Sequence, residues 1–151
     1  MGYEQLKLEN QLCFPFYAVS RLITRAYQDD LDALGITYPQ YLVLMILWEK
    51  EGVSVNEIAE KLILNTNTVT PLLKRMEAMG LIERRPSELD QRRVIVSLTA
   101  QGRDLEQLAA SIPERLVDKL QLEKSDMSLA ELAELRSTLK HLIRLMQCEE
   151  K

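Results

Sequence analysis

The chain has 151 residues, 46% hydrophobic and 28% charged, enough apolar material for one sizeable core, so a single domain is the expectation. A net charge of −4 and a pI near 5.2 exclude a protein that coats nucleic acid by bulk charge, while leaving local charge open. The opening "MGYEQLKLENQL" lacks the basic start and apolar run of a secretory leader, and no segment reaches the roughly 18 apolar residues of a membrane span, so a cytoplasmic location is expected.

Taken in chain order, the pattern is mostly helical. Phe16, Val19, Ile23, Tyr27, Leu31 and Leu34 recur at three- and four-residue steps, predicting a helix over 16–34 that stops at Gly35. Upstream of it, Pro15 either opens the helix, with Cys13 just outside, or bends it. "TYPQ" is a start signal in which Thr37 caps and Gln40 reaches back, predicting a second helix from about Pro39 to Lys50. "SVNE" repeats that signal at Ser54 and Glu57 and opens a short helix through Leu62, closed by "ILN".

The stretch "NTNTVTPLLKRMEAMG" begins small and polar, turns amphipathic with Leu72, Leu73, Met76 and Met79, and ends at Gly80. Pro71 fits such a helix if it lies in about the first turn, which favours a start near Thr66 to Thr68. "LIERR" and "RRVIVSL" then read as two strands joined by "PSELDQ", a hairpin. From Thr99 onward the pattern is helical again, broken at Pro113 and by a turn near "LEKSD", with a last capping signal at Ser128 and Glu131 before a leucine-rich helix.

Three short helices followed at once by a hairpin is the order of a winged helix-turn-helix, a mainly α fold in which the second helix of the pair enters the DNA major groove and the wing rests on the backbone. Local charge agrees: residues 64–103 hold seven Lys or Arg against four acids, a positive module in an acidic chain. Asn65, Thr66, Asn67, Thr68, Thr70 and Pro71 suit the start of a reading helix, since short donors and acceptors beside helix N–H groups reach base edges or phosphates. Capping needs one such residue and here there are five; Lys74 and Arg75 fit phosphate contacts, and Arg84 on the wing is a further DNA-binding candidate. His141, the only histidine, has no partner at ligand spacing, and neither metal nor cofactor is expected.

"LKRMEAMGLIERR", "LDQRRVIVSL" and "LTAQGRDL" together resemble the MarR family of dimeric winged-helix repressors, over essentially the whole chain. The resemblance implies residues 37–103 as the DNA-binding part, residues 1–36 and 104–151 as N- and C-terminal dimerisation helices, and an inverted-repeat operator on double-stranded DNA. It also implies that Arg92 at the wing tip probes the minor groove, where narrowing concentrates negative potential, while Asp90 holds the wing in shape.

"LENQLCFPFY" with "ITYPQYLVLMILWE" is further similar to the organic-hydroperoxide-sensing, OhrR-like branch of that family. In that branch a reactive cysteine near the first helix receives hydrogen bonds from two tyrosines across the dimer; by position these are Cys13, Tyr27 and Tyr38. Tyr17 and Tyr41 read as packing residues. A thiolate attacks a peroxide O–O bond, and phenol donors stabilise that anion. Some members carry a second, resolving cysteine after the wing. Here the other cysteine is Cys148, almost at the end, so the expectation is one working thiol capped by a small cellular thiol, with Cys148 as a possible resolving partner. A regulator released by a small phenolic or apolar ligand, with Cys13 as lining, is the alternative. A thiol peroxidase is a further one, but it leaves the wing unexplained and no second motif recycles the thiol.

Overall fold

The first helix, α1 (Cys13–Ala26), begins three residues earlier than the apolar pattern predicts. A computed structural model describes residues 2–120 and 126–148. Two 3-10 turns, Glu4–Leu6 and Leu8–Asn10, precede α1. Pro15 is the third helical residue, where its missing N–H would have had no intrahelical partner, so the helix includes it and Cys13 lies inside the first turn. The single helix expected over 16–34 is in fact two: α2 (Gln28–Leu34) follows a break at Tyr27. Neither glycine nor proline marks that break. It coincides with the packing of the Tyr27 ring on Tyr38 and Tyr41, a tertiary effect that overrides a continuous helical pattern.

Helix α3 (Tyr38–Glu49) is apolar on nearly every side and is accordingly the central helix, burying Tyr41, Val43, Leu44, Ile46 and Leu47. Gln40 Oε1 accepts the Thr37 N–H at 2.9 Å, fixing its start as the sequence predicts. Strand β1 (Val53–Ser54) comes next, a two-residue element with no sequence signal. Helix α4 (Val55–Leu62) opens on the reciprocal Ser54 and Glu57 bonds, 2.9 and 3.2 Å. It closes at Ile63, whose φ of 56° places a β-branched residue in the left-handed region. Helix α5 (Thr66–Ala78) then packs Val69, Leu72, Leu73 and Met76 into the core.

α5 starts at Thr66, within the expected range, but Pro71 is then its sixth residue, beyond the first turn where the sequence placed it. The bond it forfeits is the one to the Asn67 carbonyl, which lies on the exposed side where water reaches it, and this keeps the proline tolerable. α5 ends as read, at Gly80 with φ 74°, where the Leu81 N–H returns to the Met76 carbonyl at 3.1 Å.

Strands β2 (Ile82–Pro86) and β3 (Val94–Leu98) form the antiparallel hairpin, in register from Ile82 opposite Leu98 to Pro86 opposite Val94. β1 adds to the other side of β3, giving the order β1-β3-β2 rather than two strands alone. Helix α6 (Ala100–Ala109) starts at Thr99, whose Oγ1 accepts the Gly102 N–H at 3.1 Å and donates to the Gly80 carbonyl at 2.6 Å. These elements, with Ile112, belong to a unit spanning Met1–Ile112.

A second unit covers Pro113–Lys151. It contains most of α7 (Ile112–Lys119) and α8 (Leu129–Cys148), which opens on the expected Ser128 and Glu131 pair at 2.6 and 3.2 Å. The turn expected near "LEKSD" falls mainly outside the described residues. No residue of α1 or α8 is buried, although α1 carries Phe14, Phe16, Val19 and Leu22 and α8 carries Leu135, Leu142, Ile143 and Leu145.

Candidate nucleic-acid interface and thiol site

The start of α5 is built by Asn65. Its Oδ1 accepts the Asn67 N–H at 2.8 Å and its carbonyl accepts from Thr68 and Val69 at 2.9 and 3.1 Å, so Asn65 is the cap of the helix. With the apolar residues of α5 turned inward, helical spacing puts Asn67, Thr70, Pro71 and Lys74 in one outward stripe, flanked by exposed Thr66, Thr68 and Arg75. These are the residues singled out from sequence.

The wing tip is ordered by Asp90. Its carboxylate accepts the Arg92 N–H at 3.0 Å, its carbonyl accepts from Arg93 at 2.9 Å, and the Ser87 N–H reaches the Arg93 carbonyl at 2.7 Å. The Arg92 side chain projects from this turn exposed and, among the described residues, without an ion pair. Between the wing, β1 and the beginnings of α4 and α5 lies a cleft of about 210 Å³, lined by Ser54, Asn56, Thr66, Thr70, Arg84, Arg92 and Arg93. Three guanidinium groups around small polar side chains suit an anionic backbone.

Two participants were not singled out from sequence. Arg93 donates to Ser54 Oγ at 3.5 Å, tying the wing to β1; its signal was the "QRRV" doublet. Glu77 binds Arg84, with its carboxylate accepting from the Arg84 Nη2 at 2.8 Å and from Nε and the backbone N–H, each at 3.1 Å. Arg84, expected as a DNA-binding residue, is thus engaged by a carboxylate while still lining the cleft.

Tyr27 and Tyr38 are brought together, ring centroids 5.1 Å apart, and Tyr41 joins them at 5.9 and 6.4 Å. Tyr41 also meets Trp48 edge-on at 6.2 Å, and Trp48 Nε1–H donates to the Gly102 carbonyl at 2.9 Å. Tyr41 is buried as expected of a packing residue, whereas Tyr17 is exposed, with the Arg21 guanidinium over its ring. Cys13 is exposed at the start of α1 and makes no hydrogen bond to Tyr27 or Tyr38 within the described chain; Cys148 is exposed at the end of α8. Among the described residues no cluster of His, Cys, Asp and Glu could hold a metal.

Burial, then the neighbouring phenols of Tyr38 and Tyr41, pushes Tyr27 up to about 12, and burial also raises Tyr38 and Tyr41. All three are therefore protonated donors at neutral pH. Backbone donation holds Glu57 and Glu131 below the ordinary carboxylate value of 4.5, and the Arg84 side chain does the same for Glu77. Each of these carboxylates binds its proton less readily folded than unfolded. Their contribution is present above pH 4.5 and lost as pH falls through the lowered native values. In the tyrosines the folded values are raised, so stability falls as pH climbs from 10 toward about 12. Urea midpoints are expected to be level between about pH 5 and 9 and to decline on both sides; a midpoint rising below pH 4.5 would contradict the acid limb.

A helix-turn-helix with an outward polar stripe, joined to a three-stranded wing that carries an arginine at its tip, defines a winged-helix nucleic-acid-binding protein. The MarR family model matches residues 36–94. The organic hydroperoxide resistance transcriptional regulator of Bacillus subtilis is 46% identical over 144 residues, covering 95% of each chain. Among solved structures, reduced AbfR of Staphylococcus epidermidis bound to DNA superposes with a TM-score of 0.71 at 40% identity, over 93% of this chain and 96% of that one. Its disulfide-formed state gives 0.63 at 42% identity, over 93% and 95%. The chain belongs to the MarR family and is a transcriptional regulator, not an enzyme. No single helix among the described residues is long and apolar enough to cross a membrane.

Proposed function

We propose that the chain is a cytoplasmic repressor that binds an inverted-repeat operator as a homodimer and releases it when an organic hydroperoxide oxidises Cys13. Residues 37–103 form the DNA-binding part. Asn65, Thr66, Asn67, Thr68, Thr70, Pro71, Lys74 and Arg75 address the major groove and its flanking phosphates, and Arg84, Asp90 and Arg92 serve the wing. Residues 1–36 and 104–151 make the dimer, a role supported by the uncovered apolar faces of α1 and α8. The hydroperoxide and a small thiol are the reactants; no cofactor or metal takes part.

The observation that carries this reading is the exposed thiol in the first turn of α1, in a chain 46% identical along its length to a hydroperoxide regulator. Unpaired helix N–H groups there favour an anion, and Tyr27 and Tyr38 are protonated donors for a thiolate presented by another subunit. The thiolate attacks the terminal peroxide oxygen, an S–O bond forms as O–O breaks, and the alkoxide leaves as alcohol after taking a proton. A small thiol then displaces water from the sulfenic sulfur, leaving a mixed disulfide. Cys148 is the competing source of that second sulfur.

The reading is tested by fluorescence polarisation on a duplex selected from a random pool by the reduced protein. Cumene hydroperoxide followed by glutathione is expected to raise Kd at least 100-fold, with a reductant restoring it. Unchanged affinity after stoichiometric oxidation would sink the sensing role, and release by a phenolic ligand under full reduction would favour ligand control instead.

A further inference from the structure

The wing reaches out from the body of the protein as a short hairpin, and its place relative to α5 matters because both are proposed to touch the same duplex. The chain connection between them is only Met79, Gly80 and Leu81, with Gly80 at positive φ. Across that turn Glu77, one residue from the end of α5, takes three donors from one wing residue: the Arg84 backbone N–H, Nε and Nη2. β2 is an edge strand, so the Arg84 N–H that points away from β3 would otherwise have no rung; Glu77 supplies one from the helix. The Arg84 side chain is only 21% exposed, unlike the neighbouring Arg85 to Glu83 pair, where Arg85 is 77% exposed. A forked, partly desolvated pair fixes geometry in a way an open surface pair does not.

We infer that Glu77 is a positioning residue for operator binding, holding the wing to the reading helix through Arg84 so that Arg92 and the α5 stripe meet their grooves together. This rests on the proposed DNA roles of α5 and Arg92. At about 3.3 Å per residue, the tip lies roughly 13 Å or more beyond Arg84, so a tilt of about 10° there moves Arg92 by about 2 Å, enough to lose a hydrogen bond. Without Glu77 the duplex would have to reorder the wing each time it binds.

The test is a double-mutant cycle on the selected duplex with full-length reduced protein: wild type, Glu77→Ala, Arg92→Ala and the double variant, each with its salt dependence and urea midpoint. Arg92→Ala is expected to weaken binding roughly 10- to 100-fold and Glu77→Ala about 10-fold, with the salt slope falling by about one ion in both. In the Arg92→Ala background, Glu77→Ala should cost less than twofold more, because a misplaced wing has little left to lose. Glu77→Gln, which keeps an acceptor for the Arg84 N–H, should recover part of the loss and guards against a folding defect. Losses that multiply in the double variant, or a Glu77→Ala protein that binds as wild type, overturn the positioning role. If Arg92→Ala binds as wild type, the wing reading itself fails and the inference goes with it.

Discussion

Gly102→Ala is expected to remove about 3 kcal/mol of stability, more than its helix-favouring side chain would suggest. Alanine at an ordinary helical position stabilises by about 1 kcal/mol relative to glycine. At Gly102, however, a Cβ would run into the Leu81 carbonyl oxygen and come within 3.2 Å of its carbon and 3.1 Å of Leu98 Cδ2. The obstruction is backbone, so α6 must move as a body. That carbonyl already accepts the Thr99 N–H at 3.1 Å, and Thr99 Oγ1 donates to the Gly80 carbonyl, so the shift strains the cap of α6 and the end of α5 together. It also lengthens the Trp48 bond to the Gly102 carbonyl. Two or three weakened bonds at about 1 kcal/mol each, added to overpacking, exceed the propensity gain. Gly35→Ala makes the control: its Cβ would meet nothing within 4 Å, and its φ of 70° alone should cost only about 1 kcal/mol. Urea midpoints at equal protein concentration, with Trp48 emission as the probe, decide this; equal losses at the two positions would refute the close-contact account.

The same junction marks the limit of what residue patterns disclose. Capping signals at Thr37 and Gln40, Ser54 and Glu57, and Ser128 and Glu131 are local, three residues across, and each is formed or partly formed as read. Gly35 and Gly80 end helices for an equally local reason. The intimacy of Gly102 with Leu81, by contrast, is a meeting of elements 21 residues apart in numbering, and nothing in "AQGRD" announces it. β1 is two residues long and exists because β3 offers it a partner. The break at Tyr27 follows from ring packing onto α3, not from any breaker in "TRAYQDD". In the site, the polar start of α5 was visible as residue types, because a cap needs particular side chains, whereas the role of Asp90 came through the resemblance to the family. Glu77 was not, because its partner lies across a turn on a different element. The phenols Tyr27 and Tyr38 are neighbours within one chain, whereas a contact from Cys13 to them is expected only between chains, which a single sequence expresses through its resemblance to a branch of the family.

Cys13→Ser is expected to leave operator affinity in the reduced state within about twofold of wild type and to abolish its response to organic hydroperoxide. Moving a dimer from almost fully bound to almost fully free takes roughly a 10⁴-fold change in the balance of two forms. A serine hydroxyl neither attacks an O–O bond nor forms a mixed disulfide, so no oxidised form arises to shift that balance. The phenols should act on rate rather than on outcome. Removing one donor to a thiolate costs about 1.5–3 kcal/mol, so Tyr27→Phe and Tyr38→Phe should each slow oxidation by roughly 10- to 100-fold while the final extent of release is unchanged. Because burial and its neighbours push Tyr27 up to about 12, its proton stays in place across pH 6 to 9. No step belonging to Tyr27 should therefore appear in the rate across that range. Stopped-flow oxidation followed by mass analysis of the intact chain provides both readings. Cys148→Ser separates the two routes when no small thiol is present: in the one-cysteine route variant and wild type both stop at the sulfenic acid, and in the two-cysteine route wild type goes on to a disulfide while the variant stalls. A Cys13→Ser protein that still leaves its operator on peroxide treatment would move the sensor elsewhere in the chain.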